Sequence, residues 1–233
     1  MVTLWLFLAC QGIGLLWSGM RLEPCAFAHP YLSAMLFTEA ILLVSLLVER
    51  LTRQTGVMPI VVTVAFLVHS YAILLVLPLT VASLQISPFA RSPWYLPHLL
   101  TAVAAFGAYT CAGAGAIGYV VASLAERRKS DSNWPSSGEC QAYTQGALAI
   151  SFPLLSGALI TGALWGQLAW GIYWSWSQPE AWVLVVWLIL TMSLHLRNMR
   201  RWQGKPLALL TLLGFTLAVL TLSALGHGLV YTG

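Results

Sequence analysis

Tryptophan and histidine are the residue types in this chain whose spacing suggests chemistry. Six of the eleven tryptophans lie within one short stretch: Trp165, Trp170, Trp174, Trp176, Trp182 and Trp187. Two of the five histidines, His98 and His227, lie at the ends of apolar segments before and after that stretch. Neutral imidazoles are common axial ligands of haem iron, and tryptophan faces can stack on a flat porphyrin. The pattern therefore favours a site for haem or another flat aromatic ligand.

Each part of this pattern also has an ordinary structural explanation. Tryptophans are enriched at membrane interfaces, and a single histidine at a helix end can be a simple polar cap. The Gly-x-Tyr-Trp-x-Trp core is denser in aromatic residues than an interfacial belt requires, so Tyr173 joins the tryptophans as a candidate ligand-binding residue. Arg91, a few residues before His98, could pair with a haem propionate, and Arg21 is a weaker candidate for that role.

The composition identifies the class of protein. Of the 233 residues, 59% are hydrophobic and only 8% are charged, whereas soluble domains carry roughly a quarter charged residues. The chain is therefore expected to be an all-α polytopic membrane protein. Its net charge of +4 comes from loop residues and does not indicate nucleic-acid binding. It contains no CxxC pair, hydrolase triad or phosphate loop, so no catalytic residue is predicted.

Seven apolar stretches approach the length of a membrane-spanning helix, which predicts a bundle of about seven helices in a single domain, 1–233. The stretches are 3–20, 32–48, 57–80, 98–124, 142–164, 181–197 and 206–226. Nine of the eleven Lys and Arg residues follow the second, fourth and sixth stretches. By the positive-inside rule the N-terminus is cytoplasmic and the C-terminus external. The tryptophan-rich segment 164–182, His98 and His227 then share the external face.

Four other ionisable residues lie in or near these apolar stretches, where such groups are costly. His195 is near the cytoplasmic end of the sixth stretch, as either a second, inner haem ligand or an interfacial histidine close to Arg197. Glu39, within the second stretch, is expected to face the bundle, with His69 as a candidate partner. His29 is left without a role.

The segment from Leu164 to Trp182 resembles the tryptophan-rich WWD signature of the cytochrome c assembly family, which includes haem-handling membrane proteins of the CcsA, ResC and CcmC types. That signature runs approximately W-x-x-x-x-W-G-x-Y-W-x-W-D-P-K-E-T-W. The positions that match are Trp165, Trp170, Gly171, Tyr173, Trp174, Trp176, Glu180 and Trp182. Ser177-Gln178-Pro179 replaces the signature's Asp-Pro-Lys. His195 favours the CcsA-like branch.

The resemblance implies that His98 and His227 are external haem ligands and that His195 belongs to a site within the membrane. It implies a role in cytochrome c biogenesis, with a CcsB/ResB-like membrane protein, apocytochrome c and a thiol-reducing protein as partners. The chain would be at most part of a holocytochrome c synthase (haem lyase), in the cytoplasmic (inner) or thylakoid membrane. Two alternatives remain: a HemX-like accessory or regulatory haem-binding protein, and a transporter of another small molecule.

Overall fold

The computed structural model describes residues 2–21, 29–76, 91–128 and 134–231, and this part of the chain is helical, with no strand. Its seven α-helices are α1 (Val2–Arg21), α2 (Pro30–Thr52), α3 (Met58–Tyr71), α4 (Tyr95–Arg127), α5 (Ser137–Trp170), α6 (Gln178–Leu196) and α7 (Lys205–Tyr231). A π-helical turn (Ala72–Val76) follows α3, and a 3-10 turn (Arg200–Trp202) precedes α7. The all-α prediction and the number of helices are confirmed.

Five of these helices are long and apolar enough to cross a membrane: α2, α4, α5, α6 and the Lys205–Leu222 part of α7. The apolar parts of the other two are shorter, Trp5–Ser18 and Met58–Leu74. The chain is therefore an integral, polytopic membrane protein. The predicted bounds were too narrow for α4 and α5, because both helices continue past their apolar stretches into polar turns. Residues 77–80 of the third predicted stretch lie outside the described part.

Helix α4 is the centre of the bundle, packing most extensively against α5 and also against α2 and α7. Its most apolar window is 72% buried, against at most 44% for the other four long helices. Two glycines of α4 permit these close contacts, one facing α2 and the other facing α5. A methyl group built on Gly107 would lie 3.2 Å from the Ile41 nitrogen, and one on Gly115 would lie 2.5 Å from Thr144 Oγ1. Small residues let helix backbones approach closely, so α4 can pack tightly against both neighbours.

The basic connections between helices lie at one end of the bundle. A methyl group built on Gly56, between α2 and α3, would lie 2.7 Å from Pro135 Cβ, between α4 and α5. One built on Gly204, just before α7, would lie 2.8 Å from Tyr119 Oη near the end of α4. The α2–α3, α4–α5 and α6–α7 connections are therefore neighbours. His98 and the tryptophan-rich turn lie at the opposite end.

Glu39 and His69 do not form the hydrogen bond that the sequence suggested. Glu39 is buried, and its Oε2 has no hydrogen-bond partner among the described residues. His69 contacts Phe7 edge to face, with ring centroids 5.5 Å apart, and its buried Nδ1 is also unpartnered in the described part. The His69 imidazole is therefore held by packing against α1 and not by a hydrogen bond to the Glu39 carboxylate.

Candidate functional site

The site is built around His98, in the first turns of α4. The His98 Nδ1 lies 3.0 Å from the backbone carbonyl oxygen of Ala158 in α5. The Trp165 ring stacks on the imidazole, with centroids 5.5 Å apart and planes inclined by 22°. Nearby, the Thr101 and Thr161 hydroxyls hydrogen-bond across the two helices at 3.2 Å. The histidine is thus fixed against α5 by a polar contact and an aromatic contact.

Trp165 connects this histidine to further aromatic rings. Its centroid lies 5.4 Å from that of Tyr95 and 5.0 Å from that of Trp170, both in edge-to-face geometry. Edge-to-face contact pairs the electron-poor edge of one ring with the electron-rich face of another and is worth about 0.5–1.5 kcal/mol beyond the buried area. His98 therefore belongs to a continuous aromatic group formed by α4 and the end of α5.

Two glycines shape the turn that follows. Helix α5 ends because Gly171 adopts a left-handed conformation, φ 76°, and donates its N–H to the Gln167 carbonyl oxygen. Glycine takes this conformation without steric cost. The chain then passes close over α5, where a methyl group built on Gly166 would lie 3.1 Å from the Ile172 oxygen. The glycines interrupting the tryptophan-rich stretch end the helix and fold the chain back over it.

The rest of the turn is held by the Glu180 carboxylate, in the first turn of α6. Glu180 Oε2 accepts hydrogen bonds from the Ser175 N–H (2.8 Å), the Ser175 hydroxyl (2.8 Å) and the Ser177 N–H (3.2 Å). Between the two serines, Trp176 adopts φ 56°, in the left-handed region. A non-glycine residue there costs roughly 1–2 kcal/mol. The carboxylate therefore stabilises a backbone conformation that turns Trp176 outward, 71% exposed.

The aromatic surface is open. Trp170 and Tyr173 are 53% and 59% exposed, and Leu168 and Ile172 extend the apolar area beside them. Two cavities found among the described residues, of about 320 and 260 Å³, lie elsewhere in the bundle. Large exposed apolar patches mark places where a protein binds a ligand, a partner or lipid. This end of the bundle presents its rings as a platform.

The remaining tryptophans of the segment differ in position. Trp174 contacts Trp176 edge to face at 5.8 Å, and its buried Nε1 has no hydrogen-bond acceptor in the described part of the chain. Trp182 is half-buried near the start of α6. Trp187 lies deeper, where its Nε1 donates to Ser156 Oγ at 2.9 Å and its ring stacks on Phe152. Trp187 therefore packs α6 against α5.

The other sequence-predicted residues are not brought to His98 by contacts in the described structure. His227 lies within α7, and its side chain is outside the described part. His195 is exposed in the last turn of α6, near Arg197, whose guanidinium donates to the Gln145 carbonyl oxygen at 3.3 Å. Arg91 is exposed just before α4. The structure thus assembles His98 with the aromatic residues and places His195 at the other end of the bundle.

Sequence reasoning missed two contributors to this site, and it noted a third, Glu180, only as a match to the family signature. Ala158 acts through its backbone carbonyl. Gly162 acts through its lack of a side chain, since a methyl group built there would lie 2.9 Å from His98 Cε1. Neither residue therefore carries a chemical signal in the sequence. Glu180 did carry one, because a serine followed three residues later by glutamate at a helix start is the signature of a capping box. Ser177 and Glu180 have that spacing.

Comparison with known proteins identifies the family. The sequence model described as "Cytochrome C assembly protein" matches residues 28–230. The chain belongs to the cytochrome c assembly protein family. It is 25% identical to the cytochrome c biogenesis protein CcsA of Marchantia polymorpha, over 91% of this chain and 79% of that protein. It is 27% identical to CcsA of Mesostigma viride, over 79% of this chain and 69% of that protein. A shorter region, 35% of this chain and 25% of the relative, is 45% identical to CcsA of Synechococcus sp. (strain JA-3-3Ab).

For a cytochrome c assembly protein, this chain departs from the expected motif at Ser177, which replaces an aspartate. The structure gives a physical reason why the change is tolerated. Ser177 is the N-cap of α6, and serine and aspartate are both favoured there because their short side chains can accept hydrogen bonds from free N–H groups of the first turn. The membership of the chain in this family and its apolar helices support a role in cytochrome c biogenesis as a membrane protein of the CcsA type.

Proposed function

We propose that this protein binds haem b, moves it across the membrane and presents it on the external face for covalent attachment to apocytochrome c. His98 and His227 are the external iron ligands, and His195 belongs to an inner site. The aromatic platform that receives the porphyrin consists of Trp165, Trp170, Tyr173, Trp174, Trp176 and Trp182. Haem is the substrate that the chain holds and passes on.

The arrangement of His98 carries this proposal. Its Nδ1 is engaged by the Ala158 carbonyl oxygen at 3.0 Å, and its ring is stacked on Trp165. A metal-ligating histidine typically uses its second ring nitrogen to donate to a carbonyl or carboxylate, which fixes the ring orientation. His98 has this partner together with a neighbouring aromatic surface, which is the donor set and environment that haem requires.

Two polar groups of this chain, the Trp174 indole N–H and the Arg91 guanidinium, have the chemistry to pair with the propionates at the polar edge of a porphyrin. The buried Trp174 Nε1 lacks an acceptor among the described residues, and a buried donor without a partner is costly unless a ligand or water satisfies it. A haem propionate is an acceptor of the right chemistry. Arg91, exposed just before α4, offers a guanidinium that pairs with a carboxylate. The platform therefore combines an apolar surface with candidate partners for the two propionates.

The charge distribution supports an orientation of the bundle in the membrane. The basic connections after α2, α4 and α6 lie at the end of the bundle opposite His98, and the positive-inside rule assigns that end to the cytoplasm. His195 then lies at the cytoplasmic end of α6. With a rise of 1.5 Å per residue, it is roughly 26 Å along the helix axis from Gln178. The proposed inner and outer sites are thus separated by most of the membrane.

The attachment chemistry belongs to the haem vinyl groups and the reduced thiols of the apocytochrome. Each S–H adds across a vinyl double bond, so the thioether forms without loss of an atom. This chain contributes iron ligation and positioning, not an acid–base pair. A CcsB/ResB-like membrane protein and a thiol-reducing protein complete the reaction, and the chain is at most one part of a haem lyase.

The test is an absorption spectrum of the detergent-purified protein, in the reduced state, for wild type, His98→Gly and His227→Gly. We expect a low-spin haem b spectrum in the wild type, its loss in both variants and its return when imidazole is added, because free imidazole can occupy the space left by the missing side chain. His69→Gly is the matched control, since His69 packs against Phe7 away from the aromatic platform.

Two results would contradict the proposal. One is a colourless wild-type protein from haem-replete cells that remains colourless when it is copurified with its partner. The other is an equal loss of haem in His69→Gly and His98→Gly. The first result would favour a transporter of another small molecule, and the second would show that any histidine loss disturbs the bundle.

A further inference from the structure

We propose that the backbone of α5 selects the tautomer of His98, with Gly162 as the positioning residue that makes the contact possible. This inference rests on the proposed haem-binding function and assigns the iron-binding atom as His98 Nε2. A backbone carbonyl oxygen can only accept a hydrogen bond. At 3.0 Å from the Ala158 oxygen, Nδ1 must therefore carry the proton. In a neutral imidazole the other nitrogen, Nε2, then has the free lone pair.

Gly162 allows the ring to reach this carbonyl. A methyl group built on Gly162 would lie 2.9 Å from His98 Cε1 and 3.0 Å from Nδ1. The first distance is shorter than side-chain packing permits and the second is tighter than most such contacts, so a larger residue at position 162 must shift the imidazole. The Ala158 carbonyl cannot follow the ring, because it belongs to a long helix. The absence of a side chain at position 162 thus sets where Nδ1 lies.

Two further contacts keep α4 and α5 in register around the His98 imidazole. The Trp165 ring, three residues after Gly162 on the same helix, stacks on the imidazole at 5.5 Å. The Thr101–Thr161 hydrogen bond, 3.2 Å, joins α4 and α5 beside the site. Since Ala158, Thr161, Gly162 and Trp165 follow one another at helical spacing, a single face of α5 both anchors Nδ1 and supports the ring.

The tautomer determines whether the Nε2 atom of His98 is available to bind iron. With Nδ1–H bonded to the carbonyl, Nε2 is deprotonated and ready to bind iron before the haem arrives. If the ring is displaced, the tautomer with the proton on Nε2 becomes competitive, and in that form the ligating nitrogen is blocked. Loss of such an outer hydrogen bond typically weakens metal affinity by about 10- to 100-fold. Gly162→Ala should weaken haem binding by that factor, although no ligand atom has been removed.

The control is Gly157→Ala, one helical turn and a residue earlier on α5. Within the described part of the chain, the one atom that a methyl group there would approach within 4 Å is Thr101 Cγ2, at an ordinary 3.8 Å. Both variants make the same chemical change in the same helix, so they share any general effect of helix propensity or hydrophobicity. Only Gly162→Ala intrudes on the imidazole.

The first readout uses haem-free protein. The protein is labelled with nitrogen-15 at histidine and studied by NMR in detergent at mildly alkaline pH, where an ordinary imidazole is neutral. His98→Gly identifies the His98 signals. We expect a protonated Nδ1 and an unprotonated Nε2 in wild type and Gly157→Ala, and a mixture of tautomers in Gly162→Ala. A proton on Nε2 in the wild type would overturn the inference whether or not the Gly162 variant folds.

The second readout is haem affinity, by titration of the same three proteins. A loss of about 10- to 100-fold in Gly162→Ala, with Gly157→Ala near the wild type, supports the inference. Equal affinities in all three would overturn the positioning role of Gly162. A wild type that binds no haem but shows the expected tautomer would refute the proposed function and leave the backbone assignment standing. Haem binding with the opposite tautomer would refute the assignment alone.

Discussion

Replacing Glu180 tests whether the aromatic turn is preorganised for ligand binding. One oxygen of this carboxylate accepts three hydrogen bonds, two from Ser175 and one from the Ser177 N–H. Those two residues flank Trp176, whose φ of 56° is unfavourable for a tryptophan. In Glu180→Ala the turn keeps only weaker contacts, the Ser177 N–H to Ser175 hydroxyl bond at 3.3 Å and the Trp174–Trp176 ring contact among them. Trp176 should therefore relax toward a negative φ, and the exposed indole should leave its position on the platform.

The magnitude follows from the lost capping interaction. Its removal costs roughly 0.5–2 kcal/mol. The strain at Trp176, roughly 1–2 kcal/mol, is the same in both proteins, so it drives the relaxation but does not add to the difference between them. If the ordered form binds haem, the apparent affinity falls in proportion to its population. A shift of about 0.5–2 kcal/mol in that equilibrium corresponds to a loss of at most about 2- to 30-fold in affinity. Glu180→Gln keeps one acceptor oxygen and should lose less.

The assay combines haem titration with hydrogen exchange of residues 171–180 in haem-free protein. Glu139→Ala is the matched control, because Glu139 makes the same cap at the start of α5, accepting from the Ser136 N–H at 2.7 Å and the Ser136 hydroxyl at 2.9 Å at the other end of the bundle. We expect faster exchange at Ser175 and Ser177 and weaker haem binding in Glu180→Ala only. Wild-type exchange in that variant, or equal losses of affinity in both, would refute the reasoning.

Three further predictions separate binding from packing. Trp174→Phe removes the unpartnered indole donor and should weaken haem binding about tenfold or more, since hydrogen bonds to charged groups are worth roughly 1.5–3 kcal/mol. The control, Trp134→Phe, removes a donor to the Gly118 oxygen and should bind haem normally. Equal effects of the two variants would count against a role for the Trp174 donor. Trp187→Phe loses the hydrogen bond to Ser156 and should lower stability by about 0.6 kcal/mol while haem titration is unchanged; weaker binding would contradict its packing role. Gly115→Ala forces contact with Thr144 and should destabilise the bundle by about 1–3 kcal/mol in thermal unfolding, whereas Gly138→Ala, with nothing within 4 Å of the added methyl group, should not.

The helices were predictable because each apolar run of nearly membrane-spanning length can be recognised directly in the sequence. Their ends were not, because capping and turn residues continue a helix beyond the apolar part. Helix α5 begins at Ser137, where Ser136 and Glu139 form a capping box, several residues before the predicted start at 142. The end of α5 at Trp170 is likewise set by the conformation of Gly171 and not by hydropathy.

The site was predictable only where side chains carry the chemistry. The tryptophans and His98 have recognisable types and spacing, so the amino-acid sequence was enough to expect their association. The partner of His98 could not be expected, since every residue has a backbone carbonyl and no pattern marks the one that an imidazole will reach. The role of Gly162 is harder still to predict, because this residue contributes only the space that a side chain would otherwise fill. Such contacts depend on the register of α4 against α5, which is set by packing along their whole length.

These contacts divide the His98 end of the bundle into a packed part and an open part. His98, on α4, is held against α5, whereas Trp176 is 71% exposed on a turn held by one carboxylate. A protein that passes its substrate to a second protein needs both properties. Under the proposed function, a fixed ligand would keep the iron at a defined point without further ordering cost, and an open platform would leave the reacting edge of the porphyrin accessible to the incoming polypeptide. An enclosed pocket would hinder that transfer, so exposure of the aromatic rings is the feature that would suit this site to delivery.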